Sequence, residues 1–502
     1  MSGKSAEQPS AMDSLMKTYY VLGLDIGTTC AKALAIDTNG KSIGQGASSY
    51  PLISNGNRIE QRAEDWIISA VDAVKQAITG LKGTCCGISL STQGATTAAL
   101  DADGKFIGNA LTWMDGRATQ EAAEIVDLLG DDYIYKTSGW RINAALDAAK
   151  IRWMRKQREY DSAVCFVSTL EVMNRYLTGN SVIDPTNAAI RQLYNVERNC
   201  WDEKLLSAAC ITENELPPVS ATGTQVGLLC HNAASAMGLM EGIPVFNGAH
   251  DQYCAAIGAG ATHSGDMLLS AGTTWALMGI SQKPLFTKSY IAPGKHPEAG
   301  LYGQIASLIC SGASLEWFKN NFVEESFDTI NREVALREER TRDLMFFPYM
   351  AGAAYPLWQL DAKGAFTGIS LEHDKFDFAR AVMEGVAFGV RRAVDDFNAN
   401  GVPVSKITIM GGAAKSPLWC QMISDVSGVS IERLNQADVC AVGAAVIALR
   451  GAKVFDSYAD ASSACVQPQT VYTPNPEKQN YYRDKFSRFD AMWNCLAQYW
   501  RT

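Results

Sequence analysis

The chain has 502 residues, 47% of them apolar and 19% charged, with a formal net charge of −9. That length is too great for one hydrophobic core and suits two domains or three, and the composition excludes a disordered or fibrous chain. The acidic balance argues against a nucleic-acid or anionic-membrane partner, which would favour a basic face, and no apolar run approaches the roughly 18 residues of a membrane span.

Thirteen cysteines are scattered without a C-x-x-C pair or a zinc spacing, which reads as the reduced thiols of a cytoplasmic protein. Residues 1–16 are polar and lack an apolar h-region, so they are expected to be a short disordered leader rather than a signal peptide.

The first element predicted is a hairpin over residues 19–45, with Asn39-Gly40 as a turn. An apolar strand runs from Val21 into Asp25, then Gly27-Thr28-Thr29, and a second strand leads to Asp37. Gly27 lets backbone N–H groups approach an oxygen closely, and the two threonines add hydroxyl donors, a pattern suited to phosphate. Asp25 would repel phosphate directly and fits if a hydrated divalent cation lies between them. An ordinary turn, with Gly and Thr chosen for geometry, accounts for the same residues.

A helix follows over 63–78, with Trp66, Ala70, Ala73 or Val74, and Ala77 on one face. A strand over 86–90 ends in the loop Ser91-Thr92-Gln93-Gly94. A second hairpin, 97–100 with 107–113, ends in Met114-Asp115-Gly116-Arg117. Alternating strands and helices with polar loops at strand ends indicate an α/β domain that binds ligands at the carboxyl ends of its strands. Residues 136–199 read as irregular and helical, including a basic helix over 148–158. A buried strand over 242–248 enters Ala249-His250-Asp251-Gln252 and a small-residue helix, and a domain boundary is placed there, at 258/259. Alternation along a strand would turn His250 away from the face that Asp251 presents.

The second half opens with an echo of the first. Met267 to Ile280 can be laid on the opening hairpin so that Gly27, Thr28, Thr29 and Ala31 fall on Gly272, Thr273, Thr274 and Ala276, and Asp25 on Ser270. A duplicated domain explains this, each copy offering a phosphate-grasping hairpin to one cleft. Arg337 to Arg342 reads as a solvated helix face. A strand over 406–410 runs into Gly411-Gly412-Ala413-Ala414-Lys415, then a helix with Ser416 as N-cap, Pro417 at N1 and Gly428 as its stop. The glycine pair would let a base or ribose lie on bare backbone, or would serve close packing of strand on helix. Residues 438–447 form a small-residue helix, and an aromatic-rich helix from Asn475 docks on the second domain.

These pieces in this order resemble the FGGY family of carbohydrate kinases over nearly the whole chain. The carrying residues are Leu24-Asp25-Ile-Gly-Thr-Thr29, Leu111-Thr-Trp-Met-Asp115-Gly-Arg-Ala118, Asn247-Gly-Ala-His-Asp251, Ser270-Ala-Gly-Thr-Thr274, Gly364-Ala-Phe-Thr-Gly368 leading to Phe378-Ala-Arg-Ala-Val-Met-Glu384, and Gly411-Gly-Ala-Ala-Lys-Ser-Pro-Leu-Trp419. Lys150-Ile-Arg-Trp-Met154 matches the family's lysine–tryptophan stretch in part, and the xylulokinase-like branch is the most similar. The resemblance implies an α/β fold of two actin-like (ribonuclease H-like) ATPase domains with a central cleft, sugar-binding over 17–258 and ATP-binding over 259–495.

It implies ATP and Mg²⁺ as cofactors, with Asp251 as the catalytic base and Asp25 holding Mg²⁺ through water, Asp251 contributing to the metal. Gly27, Thr28, Thr29, Lys32, Gly272, Thr273 and Thr274 would meet the phosphates, and Gly411, Gly412, Ala413 and Lys415 the adenosine. Gln93, Trp113, Asp115 and Gln252 would join Asp251 around the sugar, a pentulose such as xylulose or another ketose or polyol. The chain departs from the branch in the loop of Thr92-Gln93, where a methionine–histidine pair is common, and at Leu170-Glu171, where lysine–aspartate is. The family is often dimeric, which extends to this chain as an expected homodimer. A non-enzymatic sugar sensor, or a chaperone- or filament-type ATPase, on the same fold is the alternative of another class.

Overall fold

The computed structural model of the chain describes residues 18–356, 358–434 and 438–501. The leader expected over residues 1–16 lies outside them.

Strand β1 (Tyr19–Ile26) is buried from Tyr20 onward, and its period of two sorts its residues onto two cores. Tyr20, Leu22, Leu24 and Ile26 face helix α1 (Ala63–Ile78), whose buried stripe of Trp66, Ala70, Ala73, Val74 and Ala77 is the one its spacing predicts. Val21, Gly23 and Asp25 form the opposite row. Val21 enters a second core, Gly23 lies against a helix backbone, and Asp25 ends the row at the strand's carboxyl end.

β1 sits in a six-stranded sheet with β2 (Cys30–Asp37), β3 (Ser42–Ser49), β4 (Thr84–Thr92), β5 (Gln225–Leu228) and β6 (Pro244–His250), in the order β5-β6-β4-β1-β2-β3. A seven-stranded sheet contains β7 (Asp266–Ala271), β8 (Trp275–Ser281), β9 (Ala292–Lys295), β10 (Tyr302–Leu308), β11 (Lys406–Met410), β12 (Ile431–Leu434) and β13 (Pro468–Tyr472), in the order β9-β10-β8-β7-β11-β12-β13. Apart from β9 the two sheets superpose in order and in sense. Each has a central strand that begins an antiparallel run of three on one side, is parallel to two more on its other side, and is closed there by an antiparallel edge.

The internal duplication is therefore topological. Its register also corrects the echo by one residue. Asp25 pairs with Lys32, whereas Ser270 pairs with Ala276. The second hairpin is one residue tighter, so Ala276 matches Lys32 and not Ala31.

Seven further helices matter to the site: α2 (Asp147–Met154), α3 (Asp251–Gly258), α4 (Phe327–Ala335), α5 (Lys375–Ala399), α6 (Pro417–Ser427), α7 (Val439–Gly451) and α8 (Pro476–Tyr499). α8 buries Tyr482, Phe489 and Trp493 against the second half, as its aromatic content predicts. α3 and α7 pack on each other so closely that a Cβ at Gly443 would overlap the Cys254 carbonyl. Residues 337–342 are not a solvated helix face. Arg337 pairs with Glu333 and Asp374, Arg340 with Asp377, and Thr341 is buried, which pins this turn to the start of α5. Among the described residues no helix is long and apolar enough to cross a membrane.

Candidate active site

The floor of the cleft is built where three elements end. Asp25 is the last but one residue of β1, Ser91 lies beside it on the parallel neighbour β4, and Asp251 opens α3 directly after β6. Asp25 is 8% exposed and accepts a hydrogen bond from Ser91 Oγ at 2.7 Å. Burial raises its pKa from 3.8 to about 7; the Ser91 hydrogen bond and Lys32 oppose the rise, while the charges of Asp251 and Asp438 add to it.

Lys32 Nζ lies 2.5 Å from Asp438 Oδ1, just ahead of α7. Burial pulls the Lys32 ammonium down, but the hydrogen bond and charge of Asp438 outweigh it and leave the pKa raised. Lys32, expected to meet the phosphates, is thus committed to a carboxylate.

Asp251 is the first residue of α3 and not its cap. The N-cap is His250, whose Nδ1 accepts from the Gln252 N–H at 3.4 Å. An accepting Nδ1 leaves the proton on Nε2, which lies 3.4 Å from Asp251 Oδ1. The strand ends at His250, so alternation does not carry through to Asp251, and the imidazole sits beside the carboxylate instead of facing away. Asp251 and Gln252 are partly exposed.

The sugar loops divide the expected contacts. Trp113 is 47% exposed, and its Nε1 donates to Thr28 Oγ1 at 3.0 Å, joining the second hairpin to the phosphate loop. Gln93 is buried; its Nε2 donates to Gln61 Oε1 at 2.7 Å and its Oε1 has no partner. Asp115 is fully buried, with both oxygens occupied by the Ile59 N–H and by the backbone and guanidinium of Arg117. It was expected at the sugar, and the geometry gives it instead the task of fixing Arg117 and the loop that bears Trp113. Composition does not reveal burial, so the motif alone could not show this.

Across the cleft a cavity of about 620 Å³ is lined by Gly272, Thr273, Gly412, Ala413 and Lys415, with Phe327 and Asn331 of α4 on its far wall. Thr274, on the same hairpin, is exposed but does not line it. The glycine pair has two jobs. Gly411 has φ +93° and a Cβ there would press on Ala271 O, so it serves close packing, while Gly412 lines the cavity. Asn331 Oδ1 accepts from Ser416 Oγ at 2.9 Å, which fixes α4 to the cap of α6. Nothing in the sequence near residue 331 points to this cavity, because the contact joins residues 85 positions apart.

The residues fit ATP with Mg²⁺. Among the described residues no cluster of three or more His, Cys, Asp or Glu could hold a metal unaided. Asp25 and Asp251 at the end of a phosphate loop match a cation that keeps its waters and is bound through one or two carboxylates and phosphate oxygens.

Duplicated sheets, each centred on a Gly-Thr-Thr hairpin, with a carboxylate opening the helix directly after β6, make an actin-like α/β fold. Residues 20–258 match the N-terminal domain of the FGGY family of carbohydrate kinases, and residues 267–452 match its C-terminal domain. The chain belongs to that family, and is a carbohydrate kinase that uses ATP and Mg²⁺. It is 26% identical over 478 residues to the xylulose kinase of Bacillus subtilis, covering 94% of this chain and 96% of that one. It is 28% identical over 488 residues to the gluconokinase of the same organism, covering 93% and 94%. Among solved structures, a ligand-bound xylulose kinase from Lactobacillus acidophilus superposes with a TM-score of 0.91 at 24% identity, covering 95% of this chain and 98% of that one.

Proposed function

We propose that the chain transfers the γ-phosphoryl group of ATP to a hydroxyl of a neutral pentulose, with xylulose the first candidate. The observation that carries this reading is Asp251, partly exposed at the start of α3 and beside His250, whose ring lies against Gly94 in the loop of Gln93. A sugar hydroxyl is a weak nucleophile, and a carboxylate within hydrogen-bond reach takes its proton as the new O–P bond forms and the bond to the β-phosphate oxygen breaks. Mg²⁺ bound with ATP supplies charge neutralisation on the phosphate oxygens. Thr28 and Thr29 take the phosphate nearest the sugar, Gly272 to Thr274 the others, and Gly412, Ala413 and Lys415 the adenosine.

The cations nearest the sugar loops favour a neutral substrate over gluconate. Lys150 Nζ donates to the carbonyls of Ala95, Leu111 and Thr112, and Arg117 is paired with Glu60 and Asp115. Neither is left to meet a substrate carboxylate. Thirteen cysteines scattered without a C-x-x-C pair or a zinc spacing support a reducing, cytoplasmic setting, and a homodimer is in keeping with the family.

Coupled ADP release over ketoses, aldoses, polyols and gluconate, with a no-sugar control, tests the substrate. Xylulose should give the highest kcat/KM, and preference for gluconate would overturn the neutral-sugar reading. Asp251→Asn should lower kcat by about 10²–10⁴-fold while ATP affinity stays near the parent value. Turnover at the parent rate would remove Asp251 from the chemistry, and sugar binding without ADP release in the parent would mark a sensor.

A further inference from the structure

Three consecutive carbonyls of the phosphate loop are tied back into the protein. The Tyr50 hydroxyl donates to Gly27 O, Gln61 Nε2 donates to Thr28 O, and the Tyr50 N–H donates to Thr29 O at 3.0 Å. These peptide bonds are trans, and a trans peptide directs its N–H opposite to its C=O. With the Gly27 and Thr28 carbonyls drawn inward, the N–H groups of Thr28 and Thr29 are turned outward. Among the described residues nothing accepts from either, and Thr28 is half-buried while Thr29 is exposed.

The two anchors are held firmly. Gln61 is fully buried, and its Oε1 accepts from Trp66 Nε1 at 3.1 Å and from Gln93 Nε2 at 2.7 Å. An indole N–H can only donate and a carbonyl only accept, so Trp66 and Thr28 together determine which way the Gln61 amide points. Gln93 must then turn its own oxygen, buried and unpartnered, away from Gln61. Burial, with the charge of Asp25 nearby, pushes the Tyr50 phenol far above its usual range and keeps it a donor.

We infer that Tyr50 and Gln61 are positioning residues for phosphoryl transfer. They hold the backbone from Gly27 to Thr29 so that the Thr28 and Thr29 amides receive the terminal phosphate of ATP, and Gln61 keys the sugar loop to the same frame through Gln93. The inference rests on the kinase reading above. The terminal phosphate is assigned here because this loop shares its lobe with Asp251 and Gln93, whereas Gly272 and Thr273 line the cavity of the other lobe.

Hydrogen bonds that merely stabilised the hairpin would lower the melting temperature without distinguishing nucleotides. The test is therefore the affinity of Tyr50→Phe and Gln61→Met, as full-length protein with Mg²⁺, for ADP and for β,γ-imido ATP by titration calorimetry, with thermal melting alongside. Each variant should bind the triphosphate analogue about threefold to tenfold more weakly, with a similar fall in kcat, while ADP affinity changes by less than about twofold. Equal weakening of both nucleotides, or weakening of neither, overturns the inference. Should Gln61→Met fail to fold, Tyr50→Phe decides alone, since it removes one hydroxyl and keeps the ring. Failure of the kinase reading would show separately, as absence of sugar-dependent ADP release by the parent.

Discussion

Asp25 carries a conflict that only its ligand resolves. A carboxylate this deeply buried beside Asp251 and Asp438 prefers its proton, and its pKa rises from 3.8 to about 7. Between those values the folded state holds a proton that the unfolded state has lost, so this residue's contribution to unfolding free energy falls as pH rises through the window. Above pH 7 the ionised residue costs on the order of 4 kcal/mol, before any relief from a bound cation. Asp25→Asn should therefore melt at a higher temperature than the parent at pH 8, with the gain shrinking towards pH 4, and should lose Mg²⁺-dependent turnover. A variant less stable than the parent at pH 8 would mean that Lys32 and Ser91 already compensate the charge. Stability given up at one buried acid is what a site awaiting a cation is expected to show.

Helix α2 illustrates how an element distant from the chemistry can set it. Its Lys150 is fully buried, with burial lowering its pKa to about 8, and its ammonium gathers Ala95 O at 2.8 Å, Leu111 O at 3.3 Å and Thr112 O at 2.5 Å. Those carbonyls belong to the two loops that present Gln93 and Trp113. Lys150→Met removes the donor that the three carbonyls share and leaves Thr112 O only the Asp115 N–H, which should cost about 1–3 kcal/mol of stability. It should raise the sugar KM severalfold and leave the ATP KM nearly unchanged; an equal rise in both would place its effect on the whole lobe. The start of α2 was legible in the sequence, although the helix ends at Met154 short of the expected 158, and α1 was legible to its last buried residue, because a period of 3.6 is written locally. The paired hairpins were legible too, since each repeats a short pattern. Tyr50, Gln61, Asn331 and the burial of Asp115 were not. Each depends on a contact between a side chain and a distant segment, and no local pattern encodes it. His250 was misjudged for a related reason: alternation holds within a strand, and the strand ends there.

The two halves that the family matches separate are not separate in packing. The inner face of the first sheet, including Val21, Leu34, Ile36, Phe246 and Ala249, shares one core with Val442, Ala445, Val446 and Leu449 of α7, which arrives from the second half. α7 is apolar on every side, as a helix buried all round must be. Gly258 and Gly443 bring α3 and α7 into backbone contact, where a Cβ would overlap the Val439 or Cys254 carbonyl. The carboxylates at the heads of these helices, Asp251 and Asp438, therefore reach the cleft on one joined support. It follows that a chain ending at residue 258 would leave that sheet face in water, and a patch of this kind is not tolerated by an isolated monomer. Residues 18–258 produced alone should lack a cooperative thermal transition and bind an apolar dye, whereas co-production with 259–502 should return a soluble one-to-one complex with sugar-dependent ADP release. Gly443→Ala in the intact chain should cost about 1–3 kcal/mol and lower a single transition, not split it into two. A sharp, independent melt of residues 18–258 would show that the first lobe folds without α7, and the shared core would then join the lobes without being needed to form either.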